Sequence, residues 1–335
     1  MSHASILFHV RRVLTAPLFS APAALRRWAA ANVVVNVLIV VTGGAVRLTD
    51  SGLGCPEWPQ CEEGTMVPTS EMGLHGVIEF GNRLLTFVLL FVALATLLAI
   101  YALVKERVDL KLLGWVVLGG IPTQALIGGI TVWSNLNPWV VGLHFLASIG
   151  VIAVATALFI RAGEPDVEAR PLVPRAVRYL GYTIVGTAFL VISIGVTVTG
   201  SGPHAGDPDS PRIDISPELL AQLHVDAVWA LVGLSVAMMF TLFAVKAPEH
   251  PKRSTGLLLG VIAFQGMIGY VQYYSGVPEL LVGMHMLGAC LLWIAVINVP
   301  FSLRERVAPP EDDATTVHNL EVAAKTETAE AVSAN

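Results

Sequence analysis

Eight apolar segments, each roughly 20 residues or longer, constrain the fold of this chain more than any other feature of its sequence. A segment of that length crosses the hydrocarbon core of a bilayer as a helix, which satisfies its own backbone hydrogen bonds. Hydrophobic residues make up 54% of the chain and charged residues 13%, whereas charged residues are about a quarter of a soluble domain. We therefore predict an all-α integral membrane protein with eight transmembrane helices. The predicted helices lie near residues 28–47, 75–101, 112–133, 138–160, 176–199, 219–245, 255–274 and 280–302.

The lysines and arginines predict the orientation of the chain, because cytoplasmic loops retain these residues. With the N-terminus inside, only Arg47, Arg83 and Arg212 fall on the outer side. Both termini are therefore predicted to be cytoplasmic, and the chain to be a multi-pass protein of the plasma membrane. The basic residues predicted on the cytoplasmic side are Arg11, Arg12, Arg26, Arg27, Lys105, Arg107, Lys111, Arg161, Arg170, Arg175, Arg178, Lys246, Lys252, Arg253, Arg304, Arg306 and Lys325.

The two ends of the chain differ in composition from the apolar segments. Residues 1–27 carry basic residues but no clear small-x-small cleavage site follows them, so we interpret them as a cytoplasmic segment before a permanent helix. Residues 307–335 are rich in Glu, Ala and Thr, which is typical of a disordered tail. We predict no function for residues 307–335.

The sequence contains an internal duplication. The stretch 49–52, Thr-Asp-Ser-Gly, is similar to 199–202, Thr-Gly-Ser-Gly, at an offset of 150 residues. The next matching pair, His75 and His224, is offset by 149 residues. By this arithmetic, His75 is the counterpart of His224.

The duplication continues in the later segments of each half. Gln124 precedes His144 by 20 residues, and Gln265 precedes His285 by the same 20 residues. Equal spacing predicts two tandem, pseudo-symmetric four-helix bundles in the same orientation. We place the two halves at residues 28–165 and 166–306.

Four histidines lie a few residues inside the starts of apolar segments, where a polar side chain needs a partner. They are His75, His144, His224 and His285. Two imidazoles from facing helices can hold a haem iron, and each half owns two of these histidines at a common predicted depth. The alternatives are polar side chains bonded within the bundle, or a zinc or copper site, which usually adds other ligands. The pattern favours haem.

A short loop after the first segment contains Cys55 and Cys61 on the predicted outer side. Their spacing and compartment predict a disulfide, with two free thiols as the alternative. Such a bridge can be a structural staple or a redox-active pair, and the sequence does not separate the two. Both remain open.

A carboxylate and a guanidinium follow on the second segment. Glu79 lies one turn from His75 and one turn from Arg83, so the three side chains share a helix face. Glu79 is therefore a candidate for proton transfer beside a haem. The alternative is an ion pair between Glu79 and Arg83 that only fixes the helix.

Glycine pairs and tryptophans have structural interpretations. The pairs at 119–120 and 128–129 are typical of surfaces for close helix packing. Trp58, Trp133 and Trp139 fall near the predicted outer boundary, where an interfacial belt is the usual arrangement.

Residues 43–61, Gly-Gly-Ala-Val-Arg-Leu-Thr-Asp-Ser-Gly-Leu-Gly-Cys-Pro-Glu-Trp-Pro-Gln-Cys, strongly resemble the first outer loop of haem A synthases. The likeness extends over essentially all eight segments, and residues 199–204 look like the actinobacterial branch. The resemblance implies an oxidoreductase that converts the C8 methyl group of haem O into a formyl group. It also implies that His224 and His285 ligate haem b as cofactor, that His75 and His144 face the substrate haem, and that Glu79 is the functional glutamate.

One departure from that family concerns the second segment. Many members have Glu-x-x-His-Arg there, whereas this chain has Glu79-Phe80-Gly81-Asn82-Arg83, with asparagine at the usual ligand position. His75 is one turn away on the other side of Glu79, so we assign it the ligand role as the counterpart of His224.

Two other functions remain as alternatives. A dihaem b-type electron-transfer cytochrome also needs four helical histidines but not the cysteine loop, and a duplicated transporter would bind near midplane. The resemblance implies delivery of haem O by a haem O synthase and an unidentified electron acceptor. We expect membrane lipid around the protein and no nucleic acid, and a homo-oligomer remains open.

Overall fold

A computed structural model of the chain describes residues 15–104 and 106–307. The predictions for Arg11, Arg12, Lys105 and Lys325, and for the tail over 308–335, therefore lie outside the described residues. The described chain contains eight helices that are long and apolar enough to span a membrane, which confirms the predicted fold class. They are α1 (Ala24–Leu48), α2 (Gly73–Leu103), α3 (Val108–Trp133), α4 (Pro138–Ala162), α5 (Arg175–Ser201), α6 (Pro217–Ala244), α7 (Glu249–Tyr274) and α8 (Glu279–Ser302).

Short elements complete the described fold. A four-residue helix, Pro17–Ser20, precedes α1, and a single 3-10 turn, Ser70–Met72, precedes α2. Two strands of two residues each, β1 (Arg170–Pro171) and β2 (Arg304–Glu305), pair antiparallel and join the start of the second half to the end of α8.

Several helices begin earlier than the apolar pattern predicts. Helix α7 begins at Glu249, six residues before the predicted start, and α1 begins at Ala24. The first turn of α7 contains Glu249, Pro251 and Lys252, which are charged or lack a backbone N–H. These residues are compatible with a first turn, because its N–H groups have no partner within the helix and its side chains need not be apolar.

Each half is a ring of four helices around its own core. In the first half, α1 packs on α2 and α4, and α3 closes the ring between α2 and α4. The second half repeats these contacts with α5 to α8. Across the interface α4 packs on α8, α1 packs on α8, and α4 packs on α5. The contact of α1 with α8 and the contact of α4 with α5 are equivalent, because α1 corresponds to α5 and α4 to α8. A pseudo-two-fold axis therefore passes between α4 and α8.

The helix boundaries give the register of the repeat. The ends of α2 and α6, Leu103 and Ala244, are 141 residues apart. The same 141 residues separate the starts and ends of α3 and α7 and the starts of α4 and α8. The offset near α1 and α5 is larger because the loop 49–72 has 24 residues and the loop 202–216 has 15. The nine extra residues come from the segment that contains Cys55 and Cys61.

The halves are joined at three levels. At one end, Arg47 on α1 donates hydrogen bonds to the carbonyls of His204 and Thr199. In the middle, the indole Nε1 of buried Trp293 on α8 donates to the carbonyl of Ile149 on α4 at 2.9 Å. At the other end, a network of ion pairs links the first half to the end of the chain, and its centre is Glu164.

Candidate haem site

The second half brings its two predicted histidines together. The ring centres of His224 on α6 and His285 on α8 are 6.4 Å apart. An iron held by two imidazole nitrogens at about 2 Å each places the two ring centres about 6 Å apart. The spacing of this pair therefore fits one iron between the rings.

The hydrogen bonds of the two rings leave the ligating nitrogens available. Nδ1 of His224 lies 3.0 Å from the carbonyl oxygen of Val191. A carbonyl only accepts, so Nδ1 carries the proton and Nε2 keeps its lone pair, as an orienting hydrogen bond does for metal-bound histidines. Nδ1 of His285 is buried and has no hydrogen-bond partner among the described residues.

Glycines on neighbouring helices provide the space beside these rings. A methyl group at Gly195 on α5 would lie 3.0 Å from Cε1 of His224, and one at Gly269 on α7 would lie 3.2 Å from Cε1 of His285. Both rings thus pack against bare backbone, which fixes their planes. The spacing, the free nitrogens and these glycines all fit a haem held between α6 and α8.

Gln265 on α7 bonds to the backbone of one histidine of the pair. Its Nε2 donates to the backbone carbonyl of His285 at 2.6 Å, and its Oε1 lies where a methyl group at Gly288 would be 1.8 Å away. The repeat places Ala147 at the position of Gly288 in the first half. There Gln124 is buried without a hydrogen-bond partner in the described chain.

His144 of the first half closely matches His285. A methyl group at Gly128 on α3 would lie 3.4 Å from Cε1 of His144, and Nδ1 of His144 is buried without a partner in the described ranges. Its backbone carbonyl accepts from Ser148 Oγ at 3.0 Å. The predicted packing role of the glycine pairs is confirmed at Gly128, although a side chain at Gly119 would meet nothing within 4 Å.

His75 differs from the other three histidines in its position along its helix. His144 and His285 lie six residues after the starts of their helices and His224 lies seven, whereas His75 lies only two residues after Gly73. The predicted common depth is therefore wrong for His75. Its ring is exposed, and Nδ1 lies 2.9 Å from Ser51 Oγ. Across the described residues, no ring contact joins it to His144, unlike the pair in the second half.

The cysteine loop is closed by a disulfide, as predicted. Cys55 and Cys61 are bonded, and both are fully buried. Arg83 on α2 reaches into this loop and donates to the carbonyls of Cys55, Glu57 and Gln60 at 2.9–3.0 Å. The guanidinium therefore replaces the hydrogen bonds that the loop backbone lacks.

Glu79 is the centre of the contact between α2 and the loop. It is 6% exposed, its Oε1 pairs with Arg83 Nη2 at 2.6 Å, and its Oε2 accepts from the backbone N–H of Cys55 at 2.6 Å. The ion pair that the sequence left as an alternative thus forms. Because both carboxylate oxygens are engaged, a change at Glu79 alters the loop as well as the carboxylate.

The disulfide loop also packs on α3. Trp58 lies over Gly129, where a methyl group would be 2.5–2.8 Å from the indole ring. Its ring centre is 5.3 Å from that of Trp133, whose Nε1 donates to the Trp58 carbonyl at 3.2 Å. Gly129 is next to Gly128, which faces His144. The loop therefore packs on the face of α3 at Gly129, a role that the interfacial-belt interpretation of Trp58 missed.

The fold and the histidine pair define a multi-pass helical membrane protein with two imidazoles close together on α6 and α8. Residues 26–206 match the COX15-CtaA family, described as cytochrome oxidase assembly protein. The chain belongs to this family.

Relatives matched over nearly their whole length, and one matched over about half of its length, are named heme A synthase. The chain is 27% identical over 312 residues to the heme A synthases of Bacillus mycoides (strain KBAB4) and of Bacillus cereus (strain ATCC 14579), covering 86% of this chain and 97% of each relative. It is also 30% identical over 172 residues to the heme A synthase of Exiguobacterium sibiricum, covering 50% of this chain and 56% of the relative.

Proposed function

We propose that this protein is a haem A synthase, which oxidises the C8 methyl group of haem O to a formyl group. The observation that carries the proposal is the similarity over 97% of the length of proteins named heme A synthase. The histidine pair in the second half and the buried carboxylate beside the disulfide loop in the first half support it. A cytochrome that only transfers electrons does not need such a loop.

The second half, residues 166–306, is the proposed cofactor half. His224 and His285 would hold haem b, supported by their ring separation of 6.4 Å and by the carbonyl of Val191, which orients His224. A bound haem b supplies one-electron redox chemistry. The protein contributes two fixed imidazoles, and Gln265 holds the backbone of one of them.

The first half, residues 28–165, is the proposed substrate half. His144 borders the site for haem O. The sequence also predicts His75 as a ligand of its iron, but the proposed site does not include His75, because its ring lies in the first turn of α2 and bonds to Ser51 Oγ in the loop. Glu79 is the proposed functional group, either handling protons or stabilising positive charge that develops at the reacting carbon. The disulfide loop, held by Arg83 and Trp58, would exclude water from one side of this site.

Finer features of the proposal follow from the sequence. We propose the actinobacterial type from residues 199–204, and both termini in the cytoplasm from the distribution of basic residues. Haem O is the proposed substrate, delivered by a haem O synthase, and electrons pass through the second half to an acceptor. The residues 1–27 and 307–335 are the proposed cytoplasmic segments.

The deciding experiment is expression of the full chain together with a haem O synthase. We expect haem A among the extracted haems when they are separated by chromatography. Only unmodified haem b and haem O, with the spectrum of a bis-histidine haem, would contradict the proposal and favour a dihaem electron-transfer cytochrome.

Variants separate the roles of the two halves. We expect Glu79→Gln, which keeps an acceptor for the Cys55 N–H, to retain bound haem while losing product. Glu79→Ala should lose product and also loosen the loop, and His224→Ala should lose haem b. Haem content per protein and haem A yield are the measurements. Unchanged haem A yield in Glu79→Gln would remove the carboxylate from the reaction.

A further inference from the structure

The register of the helices identifies Asn82, and not His75, as the residue at the level of His224. Asn82 lies 21 residues before the end of α2, and His224 lies 20 residues before the end of α6, whereas His75 lies 28 residues before the end of α2. The offset from Asn82 to His224 is 142 residues, within one residue of the 141 that relates the rest of these helices. His75 is seven residues from Asn82, which is about 10 Å along the helix.

Contacts between helices give the same equivalence independently. In the second half, His224 on α6 faces Gly195 on α5, six residues before the end of that helix. In the first half, a methyl group at Gly43, five residues before the end of α1, would lie 3.7 Å from Nδ2 of Asn82. A glycine near the end of the first helix of each half therefore packs against the compared side chain, which is Asn82 in the first half and His224 in the second.

The side chains of His224 and Asn82 each form a hydrogen bond with the first helix of their own half, although with different groups and at different positions. His224 Nδ1 donates to the Val191 carbonyl on α5, and Asn82 Oδ1 accepts from Thr42 Oγ1 on α1 at 2.7 Å. With Oδ1 engaged, the free end of Asn82 is an amide nitrogen, which has no lone pair to offer a metal. Asparagine at this position is thus a poor replacement for an imidazole.

His75 is held at a different place. Its ring bonds to Ser51 in the loop, and a methyl group at Gly54 would lie 2.3 Å from its backbone carbonyl oxygen. These contacts fix the first turn of α2 against the loop 49–72, outside the level of the other three histidines. Movement of His75 to that level would require breaking both contacts.

We infer that the first half binds the iron of its haem through one imidazole, that of His144, and that no histidine within residues 15–104 and 106–307 occupies the opposite position. The inference rests on the proposed function for the identity of that haem as substrate. Two protein ligands retain a resident cofactor, whereas one ligand lets a substrate enter and the product leave. The asymmetry between Asn82 and His224 would therefore separate the exchangeable haem from the permanent one.

The test uses the full chain, purified after expression with haem O synthase, and electron paramagnetic resonance of the ferric protein. We expect one low-spin bis-histidine haem and one high-spin haem. Asn82→His should convert the high-spin signal to a second low-spin signal, and His144→Ala should abolish the high-spin signal. His75→Ala should leave both signals as they are.

Haem transfer to added apomyoglobin provides a second measurement. We expect a fast and a slow phase of haem loss, and a fast phase about tenfold slower in Asn82→His, equivalent to about 1.4 kcal/mol. Two low-spin haems in the unchanged protein, one of them lost in His75→Ala, would overturn the inference and make His75 the ligand. That result is distinguishable from failure of the proposed function, which is a lack of haem A among the extracted haems whatever the spin states.

Discussion

At the residue scale, the backbone carbonyls of the repeat-related residues His285 and His144 are bonded by different side chains. Gln265 reaches the His285 carbonyl across Gly288, whereas the repeat places Ala147 at the position of Gly288 in the first half. The carbonyl of His144 is bonded instead by Ser148, one turn along the same helix. The carbonyl is therefore bonded from a neighbouring helix in the second half and from its own helix in the first half.

We predict that Gly288→Ala displaces the Gln265 amide and weakens the second half. The lost hydrogen bond in a buried place should cost about 1–3 kcal/mol, in addition to the strain of fitting the methyl group. Thermal unfolding in detergent and haem b content per protein are the measurements, and both should fall.

A double variant is the control for Gly288→Ala. Replacing Gln265 with alanine as well removes the side chain that the new methyl group meets, so the strain is relieved while the hydrogen bond and the packing of the Gln265 side chain are lost. We expect the double variant to be more stable than Gly288→Ala alone. Equal or lower stability would show that the clash is not with Gln265.

The sequence identified the paired histidines but not the groups that orient them. Their spacing from Gln124 and Gln265 is visible as a repeat, and the pair on α6 and α8 forms as expected. The carbonyl of Val191 and the space at Gly288 depend on which helix faces are in contact, and no local pattern records this. The repeat count that makes His75 the counterpart of His224 runs through a loop that is nine residues longer in the first half, and the apolar pattern alone does not show this difference.

At the element scale, the disulfide loop is positioned by α2 and α3 together. Arg83 binds its carbonyls from one side, and Trp58 packs on Gly129 from the other. The buried disulfide is protected from solvent by these contacts. Its accessibility is therefore a measure of how well the loop is seated.

We predict that Gly129→Ala lifts Trp58 from α3 and exposes the disulfide. The added methyl group would lie 2.5 Å from the nearest indole atom, which is too close for contact. Reduction by dithiothreitol, followed by alkylation and mass measurement, should proceed about tenfold faster than in the unchanged protein, because opening the loop should be easier by about 1.4 kcal/mol.

Gly119→Ala on the same helix is the matched control, since a side chain there meets nothing within 4 Å. We expect its disulfide to be reduced at the original rate. If both variants react alike, the indole contact does not protect the disulfide.

Long helices were predictable from the sequence and the short elements were not. Each of the eight spans is an apolar run long enough to be identified alone, so tertiary contacts are not needed to find it. Strands β1 and β2 have two residues each and exist only because the end of α8 lies beside the start of α5. The prediction from hydropathy does not include the polar first turn of α7, because this helix begins before its apolar residues do.

At the scale of the whole molecule, Glu164 links the first half to the end of the chain through several ion pairs. It pairs with Arg161 of α4 and with Arg304 and Arg306 after α8. Its side chain is 19% exposed, so these interactions are partly shielded from solvent. The three pairs share one carboxylate, and removal of its charge weakens all of them together.

We predict that Glu164→Gln lowers the midpoint of thermal unfolding of the full chain. Loss of a partly buried ionic network should cost about 1–3 kcal/mol, more than an exposed pair. Glu168→Gln is the control, since Glu168 is exposed and forms no ion pair within the described part of the chain. The same unfolding midpoint for both variants would mean that the network around Glu164 does not stabilise the assembly of the halves.

The covalent connection between α4 and α5 has an evolutionary consequence. Two identical four-helix chains around the axis between α4 and α8 would form a dimer in which every substitution appears twice. In a single polypeptide, asparagine can stand at residue 82 while histidine is kept at residue 224. Fusion of the duplicated units thus allows mutation to specialise one binding site without altering its twin, and it fixes their ratio at one to one.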